Sequence, residues 1–191
     1  MRLVIPSFLL AVALGYARGG RLATLGRLRL RWQGLAILGL GLQMLLWPGG
    51  GWPLVYLYAS FAILATFALV NIRTTGVSLI LIGIALNFLV IVLNEGMPVS
   101  RVAIVESGQA STLDELVTEG GAKHHLASEE DHLRLLGDVI AIPQLQQAIS
   151  FGDVFTYGGV IVLIIAGMGR RVRVPPRMQP AVAKGTGNVD G

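Results

Sequence analysis

The sequence predicts an all-α integral membrane protein: a bundle of five transmembrane helices with a small helical extracytoplasmic cap, amino terminus out and carboxyl terminus in. Three observations predict it. Hydrophobic residues make up 53% of the chain and charged residues 14%, where soluble domains carry about 25% charged, and mean hydropathy is +0.68. Apolar runs of near-spanning length recur along the chain. The charges between them segregate by sign: ten of eleven acidic residues fall between Glu95 and Asp153, whereas eleven of fifteen Lys and Arg lie in Arg18 to Arg31, Arg73 and Arg170 to Lys184. Basic loops stay in the cytoplasm, so this partition sets the sidedness of every segment.

The apolar runs are Leu3 to Ala17, Gly34 to Trp47, Leu54 to Val70, Val77 to Leu93 and Val154 to Met168. Each approaches the length needed to cross about 30 Å of hydrocarbon at about 1.5 Å per helical residue. The first resembles a secretory signal, with Arg2 before it and Gly15-Tyr-Ala17 at its end. Cleavage there would send Arg18, Arg21, Arg27, Arg29 and Arg31 outward, so the run is read as an uncleaved helix followed by a basic inner loop, 18–32. Within that loop Arg27-Leu-Arg-Leu-Arg31 is expected in the headgroup plane, Leu side chains down and the guanidinium groups of Arg27, Arg29 and Arg31 on lipid headgroups. Pro48-Gly-Gly-Gly-Trp52-Pro53 is an outer turn, and Arg73-Thr-Thr-Gly76 a tight inner turn between antiparallel neighbours. The chain thus divides into four helices (1–94), a cap (95–150), a fifth helix (151–171) and a disordered cytoplasmic tail (172–191) with Pro175-Pro176 and Pro180.

Inside the spans the polar groups are amides and hydroxyls, chiefly Gln43, Asn71, Asn87, Ser60, Thr66 and Ser78, with no ionisable side chain at a helix centre. That pattern argues against a proton relay, voltage sensor or ion-coupled transporter. Gly34, Gly39, Gly41, Gly83, Gly158 and Gly159 supply small faces for close helix approach, either within the bundle or toward a partner membrane subunit.

The outer segment is where function is expected, since loops on a rigid scaffold carry sites disproportionately. Thr112-Leu-Asp-Glu115 and Ser128-Glu-Glu-Asp131 have capping-box spacing and predict short helices at Leu113 to Glu119 and Glu129 to Leu136. Val139-Ile-Ala-Ile142 is too short to span and is expected to dip into the interface or plug the bundle. Gly137-Asp138 precedes it, and Gly152-Asp153 opens the last helix behind Ser150. Asp153 suits a capped first turn, where the helix dipole favours a carboxylate. If it converges with Asp138 instead, the two form a candidate catalytic pair sharing a proton. Asn94, at the stop of the fourth helix before Gly96 and Pro98, is a candidate pocket amide.

Two resemblances attach to these residues. The series Asn94-Glu-Gly-Met-Pro-Val-Ser100, Lys123-His-His125, Leu136-Gly-Asp138-Val-Ile140 and Ser150-Phe-Gly-Asp153 resembles an uncharacterised bacterial membrane family, which implies a multi-pass protein of the inner membrane and no particular activity. Asn94-Glu-Gly96, Gly137-Asp138-Val139-Ile140 and Phe151-Gly152-Asp153 are similar, in order and membrane face, to the catalytic segments of signal peptidase II, the membrane aspartyl protease. That resemblance implies an Asp138 and Asp153 dyad with Asn94 on the pocket wall.

His124, His125 and His132, near Glu129, Glu130 and Asp131, include ligand types that bind extracytoplasmic zinc or copper, and His124 or His125 beside an Asp suits a general base. Adjacent histidines diverge on a helix or strand, so a solvated charge run accounts for them as well. With no cysteine, thiolate chemistry and Cys-ligated metals are excluded, and no phosphate loop is present. The expected partners are the lipid bilayer and another membrane subunit, with no nucleic acid and no cofactor. The favoured reading is an accessory, binding or scaffold protein, ahead of an aspartate-dyad hydrolase and of metal binding.

Overall fold

The computed structural model describes residues 2–45, 54–109, 113 and 123–169. The expected outer turn at 48–53, the helix over Leu113 to Glu119 and the tail lie outside the described residues or almost wholly so. Helices dominate. In chain order they are α1 (Val4–Ala17), α2 (Leu22–Leu25), α3 (Gln33–Leu45), α4 (Leu54–Val70), α5 (Val77–Asn94), α6 (Arg101–Glu106) and α7 (Phe151–Met168). The five apolar runs therefore become helices, with ends within a few residues of those predicted. Two of them, α5 and α7, have 18 residues each and are long and apolar enough to cross a membrane, while α1, α3 and α4 are shorter apolar helices.

The principal packing runs α1 to α7, α7 to α5, α5 to α4 and α4 to α3, so the last helix slots between the first and the fifth. Glycine makes that slot possible. A Cβ on Gly83 of α5 would collide with Thr156 and the Gly152 carbonyl of α7, and one on Gly159 of α7 would lie 2.7 Å from the Gly76 carbonyl oxygen and from Ile80 N. Gly76 sits in the turn before α5 at φ +92°, and a Cβ there would lie 2.6 Å from Leu163 N. Close backbone approach and left-handed geometry both require glycine at that position. Among the other glycines expected at interfaces, Gly39 abuts Leu64, whereas Gly34, Gly41 and Gly158 face open space. The core between α4 and α5 is built on Leu57, Phe61, Leu64, Ala68, Ile84, Val90 and Ile91, with Phe88 stacked on Phe61 at 5.7 Å and edge-on to Tyr58 at 6.0 Å.

The cap corrects the expected all-α class. Besides α6 it holds four strands of three residues each: β1 (Met97–Val99), β2 (His124–Leu126), β3 (Ile140–Ile142) and β4 (Gln147–Ile149). β1 pairs in parallel with β2, and Val99 bridges to Asp138 on its other side. β3 and β4 form an antiparallel hairpin. Ile140 to Ile142, within the segment expected to dip into the interface or plug the bundle, is a strand whose backbone groups find a ladder with 147–149. The helix expected over Glu129 to Leu136 shrinks to a single 3-10 turn at Arg134–Leu136. The reason is local: Asp131 Oδ2 accepts from both the backbone N–H and the hydroxyl of Ser128, at 2.7 and 3.3 Å, so the hydroxyl donates to the carboxylate instead of accepting from the Asp131 N–H as a helix cap would.

Helix polarity separates the two ends of the bundle. Arg2 before α1, Gln43 late in α3, Asn94 ending α5 and Ser150 before α7 all contact the cap or belong to it. The opposite end gathers α2, the stretch before α3 and the α4–α5 turn. There Thr24 Oγ1 donates to the carbonyls of Met168 at 2.7 Å and Gly167 at 3.1 Å, closing the carboxyl end of α7. Arg27, Arg29 and Arg31 are exposed while Leu28 and Leu30 are half-buried within the protein.

Candidate functional site

The junction between cap and bundle concentrates the polar side chains singled out in the sequence. Its centre is the start of α7. Ser150 caps the helix, accepting from Asp153 N at 3.0 Å, and Asp153 Oδ2 accepts in return from Ser150 N at 3.3 Å, a complete capping box. Asn87, buried on α5, completes the arrangement: its Nδ2 donates to Asp153 Oδ1 at 2.9 Å and its Oδ1 accepts from Ser150 Oγ at 2.8 Å. Gly152 leaves room for this amide, since a Cβ there would collide with Asn87. The sequence marks Asn87 only as interhelical glue. It gives no cue to the α7 cap, because Asn87 and Ser150 are 63 residues apart.

Asn94 works similarly on another segment. Its Oδ1 accepts from His132 N at 2.7 Å and its Nδ2 donates to the His132 carbonyl at 2.9 Å, with a second donation to Val90 O at 2.9 Å. The amide clips the loop before the 3-10 turn onto the end of α5. The helix stop itself falls on Glu95, in left-handed geometry at φ +53°, rather than on Gly96. Gly96 is needed for space, as a Cβ would come within 3.1 Å of His125 Nδ1.

Two further cations tie the cap down. Arg2 Nη1 donates to the carbonyls of Leu145 and Gln146 at the β3–β4 turn, at 3.3 and 3.1 Å. Lys123 Nζ donates to the Gln43 carbonyl at 2.7 Å, a favourable place for a cation near a helix carboxyl end, while burial lowers the Lys123 pKa. The cap is thus tied at one end of the bundle to α3, α5 and α7 and to the residue that leads into α1.

β2 sends its adjacent histidines to different carboxylates. His125 Nε2 lies 2.8 Å from Asp131 Oδ1. Burial works against charge on Asp131, but the Ser128 backbone bond, the His125 contact and the Ser128 hydroxyl outweigh it and hold its carboxyl below the ordinary value of 3.8. His124 Nε2 lies 3.7 Å from Asp138 Oδ2, beyond hydrogen-bond reach. Asp138 is only 8% exposed. Burial, and then the negative charge of Asp153, push its carboxyl well above 3.8. Desolvation by the packed cap, and then the charges of Lys123 and His125, hold His124 below the ordinary imidazole range, even though its side chain is 47% exposed.

The structure therefore gives Asp138 and Asp153 different partners, His124 for one and Asn87 with Ser150 for the other, while leaving them in electrostatic communication. His132 is held through its backbone by Asn94. Among the described residues no three His, Asp or Glu side chains converge as a metal-binding group.

At the opposite end lies a second polar constellation, less visible from sequence. Asn71 Oδ1 accepts from Arg31 N at 2.7 Å and its Nδ2 donates to Arg31 O at 2.9 Å. The clip brings Arg29 and Arg31 to the same cleft as Arg73.

Fold and junction together define a mostly helical protein whose apolar helices include two able to cross a membrane, closed at one end by a small mixed cap. Residues 27–165, which include every junction residue named above except Arg2, match a family of unknown function (DUF5317), and the chain belongs to that family. No curated protein and no solved structure matches the chain.

Proposed function

We propose that the protein is a five-span component of the bacterial inner membrane, with its cap and amino terminus outside and its carboxyl end in the cytoplasm. Its role in this reading is that of an accessory, binding or scaffold protein presenting a rigid cap to a partner. Membrane residence is supported by exposure: only 33% of the Val77–Asn94 window and 28% of the Phe151–Met168 window are buried inside the protein, where the apolar core helix of a soluble protein is mostly covered. Ile5, Leu9, Ile37 and Val55 on the shorter helices are likewise exposed. Sidedness is supported by the charge partition, since the basic loop and Arg73 share the end opposite the cap.

The observation that carries the scaffold role is the use of the outer polar groups as ties. Asn87 and Asp153 lock Ser150, where the cap meets the last helix, while Asn94, Arg2 and Lys123 hold other cap segments to the bundle. The outcome is a positioned outer surface bearing Val102, Val105 and Leu135, exposed by 62%, 55% and 78%. Photo-crosslinking groups at Val105 and Leu135 are expected to give a discrete protein adduct in intact membranes, with Ile5 and Leu9 giving lipid adducts only. Because the chain has no cysteine, single cysteines at Arg21 and His124 report sidedness directly: an impermeant maleimide should label His124→Cys in intact cells and spare Arg21→Cys.

A second reading is favoured by one observation. Asp138 is buried and feels the charge of Asp153, as a hydrolase dyad would. Under that reading Asp138→Asn abolishes cleavage of a lipoprotein signal sequence by the purified protein. Under the scaffold reading no such cleavage exists to lose, and the cap adducts persist in the variant.

A further inference from the structure

We propose that the cleft at the end opposite the cap is a binding site for the phosphate group of an anionic phospholipid. The cleft has a volume of about 340 Å³ and is lined by Arg29, Arg31, Asn71, Arg73 and Thr74, with Leu69 and Ile72 along its apolar flank. No acidic residue lines it, and among the described residues no side chain or carbonyl engages the guanidinium groups of Arg29, Arg31 or Arg73. Three arginines lining one concavity without an acidic residue suit an oxyanion, since the guanidinium group has a planar donor fork that matches phosphate.

The cleft is constructed, not a chance crowding of basic side chains. Arg31 and Asn71 are 40 residues apart in sequence, and the Asn71 clip on both backbone groups of Arg31 fixes the register of the arginine stretch against the turn that carries Arg73. The same turn is closed by the Thr74 N–H on the Asn71 carbonyl at 2.8 Å. The residue after Arg31, Trp32, is held at φ +55°, a left-handed conformation that is strained for a non-glycine residue. Strain of that kind persists only where its surroundings over-determine it.

The flank selects the kind of phosphate. Leu69 is 57% exposed and Ile72 40%, and Trp32, next in sequence to the lining residue Arg31, is 58% exposed. An exposed Trp in the arginine stretch and an apolar wall along the cleft match the interface depth of a bilayer, where acyl chains run along the helices and the headgroup meets the basic residues. A soluble phosphate uses the same three guanidinium groups but gains nothing from the flank. The proposal rests on the membrane reading, not on its sidedness.

The test uses the full chain in nanodiscs, which expose both faces, so an error in sidedness leaves the result intact. Lipid retained after delipidation is read by native mass spectrometry against mixtures of phosphatidylglycerol and phosphatidylcholine, with inorganic phosphate as the soluble competitor. The expected result is selective retention of phosphatidylglycerol, weakened about fivefold in each of Arg31→Gln and Arg73→Gln, the factor equivalent to ~1 kcal/mol per basic residue at an anionic surface. Arg27→Gln, outside the cleft but in the same loop, should retain it. Asn71→Ala should lose selectivity while every positive charge remains, with a thermal melt confirming that this variant folds. Equal losses in Arg27→Gln and Arg31→Gln would reduce the effect to diffuse surface charge and overturn the site. Displacement by millimolar inorganic phosphate as efficiently as by lipid would overturn the lipid assignment in favour of a soluble phosphate source.

Discussion

Replacing Asn87 with Ala removes the amide that joins α5 to the start of α7, and its cost can be worked from the contacts. One lost bond is neutral, Ser150 Oγ to Asn87 Oδ1 at 2.8 Å; the other is charge-assisted, Asn87 Nδ2 to Asp153 Oδ1 at 2.9 Å. A neutral bond contributes about 0.5–1.5 kcal/mol net and one to a charged group about 1.5–3, giving ~2–4 kcal/mol in aqueous surroundings. Across membrane helices such bonds average only about 0.6 kcal/mol each, which gives ~1 kcal/mol. The junction lies at a helix end below a polar cap, so the larger figure is expected. The assay is reversible unfolding in mixed detergent micelles for wild type, Asn87→Ala, Asp153→Asn and the double variant. A coupling energy of at least ~1 kcal/mol between positions 87 and 153 is expected. Strict additivity of the two substitutions would refute the claim that the capping box and the α5 amide act as one unit.

Glycine substitutions should separate sharply. Gly83→Ala drives a methyl into Thr156 and the Gly152 carbonyl and should cost about 1–3 kcal/mol or more, whereas Gly158→Ala, with nothing within 4 Å, should be neutral or stabilising by up to ~1 kcal/mol in the same unfolding assay. The two aspartates should show opposite pH signatures. Asp138 has a folded pKa raised above 3.8, so its contribution is fully present below 3.8 and is lost as pH rises through the folded value; Asp138→Asn should therefore gain stability relative to wild type toward neutral and alkaline pH. Asp131 has a lowered folded pKa, so its contribution is present above 3.8 and is lost as pH falls through the folded value; Asp131→Asn should cost stability at neutral pH and little at about pH 2. Glu95→Gly relieves a left-handed residue at φ +53° and, net of glycine's extra chain entropy, should raise the melting midpoint by the equivalent of about 0.5–1 kcal/mol.

The parts legible in the sequence are those governed by long periodic or compositional signals. The five apolar runs could be drawn because each is bounded by charge, Pro or Gly, and the sorting of basic and acidic residues to opposite ends followed from charge alone. The Ser150 to Asp153 box was legible because its partners are three residues apart. The strands were not, because a three-residue strand carries no measurable alternation and β1 with β2 pairs across 27 residues. Ser128-Glu-Glu-Asp131 misled for a definable reason: hydroxyl and carboxylate at that spacing serve a helix start or a side-chain-closed turn equally well, and the His125 contact on the second carboxylate oxygen favours the turn. Asn87 and Asn71 read as generic polar glue because their partners lie 63 to 66 and 40 residues away.

Asn71 and Asn94 raise the question of why the same side chain recurs at opposite ends of the bundle. Each stands at the carboxyl end of a long helix, donates back to the carbonyl four residues earlier, and grips both the N–H and the C=O of one residue on a distant segment. Such a grip needs a donor and an acceptor fixed on one short stem. Asp matches its shape but presents acceptors alone when ionised, and Gln adds a methylene that shifts the amide out of register. Asn94→Asp should consequently be worse than Asn94→Ala, because a carboxylate oxygen would then face the carbonyls of Val90 and His132, the latter having lost the amide donor. About 1–3 kcal/mol is expected for each group left unsatisfied, less wherever water reaches the exposed side of the clip. Hydrogen exchange is the discriminating readout: protection at His132 and the following turn should fall by roughly the factor 10 that ~1.4 kcal/mol represents, with α1 unaffected. Equal exchange in Asn94→Asp and wild type would mean that the loop is held by the cap's own backbone and that the amide merely occupies the space.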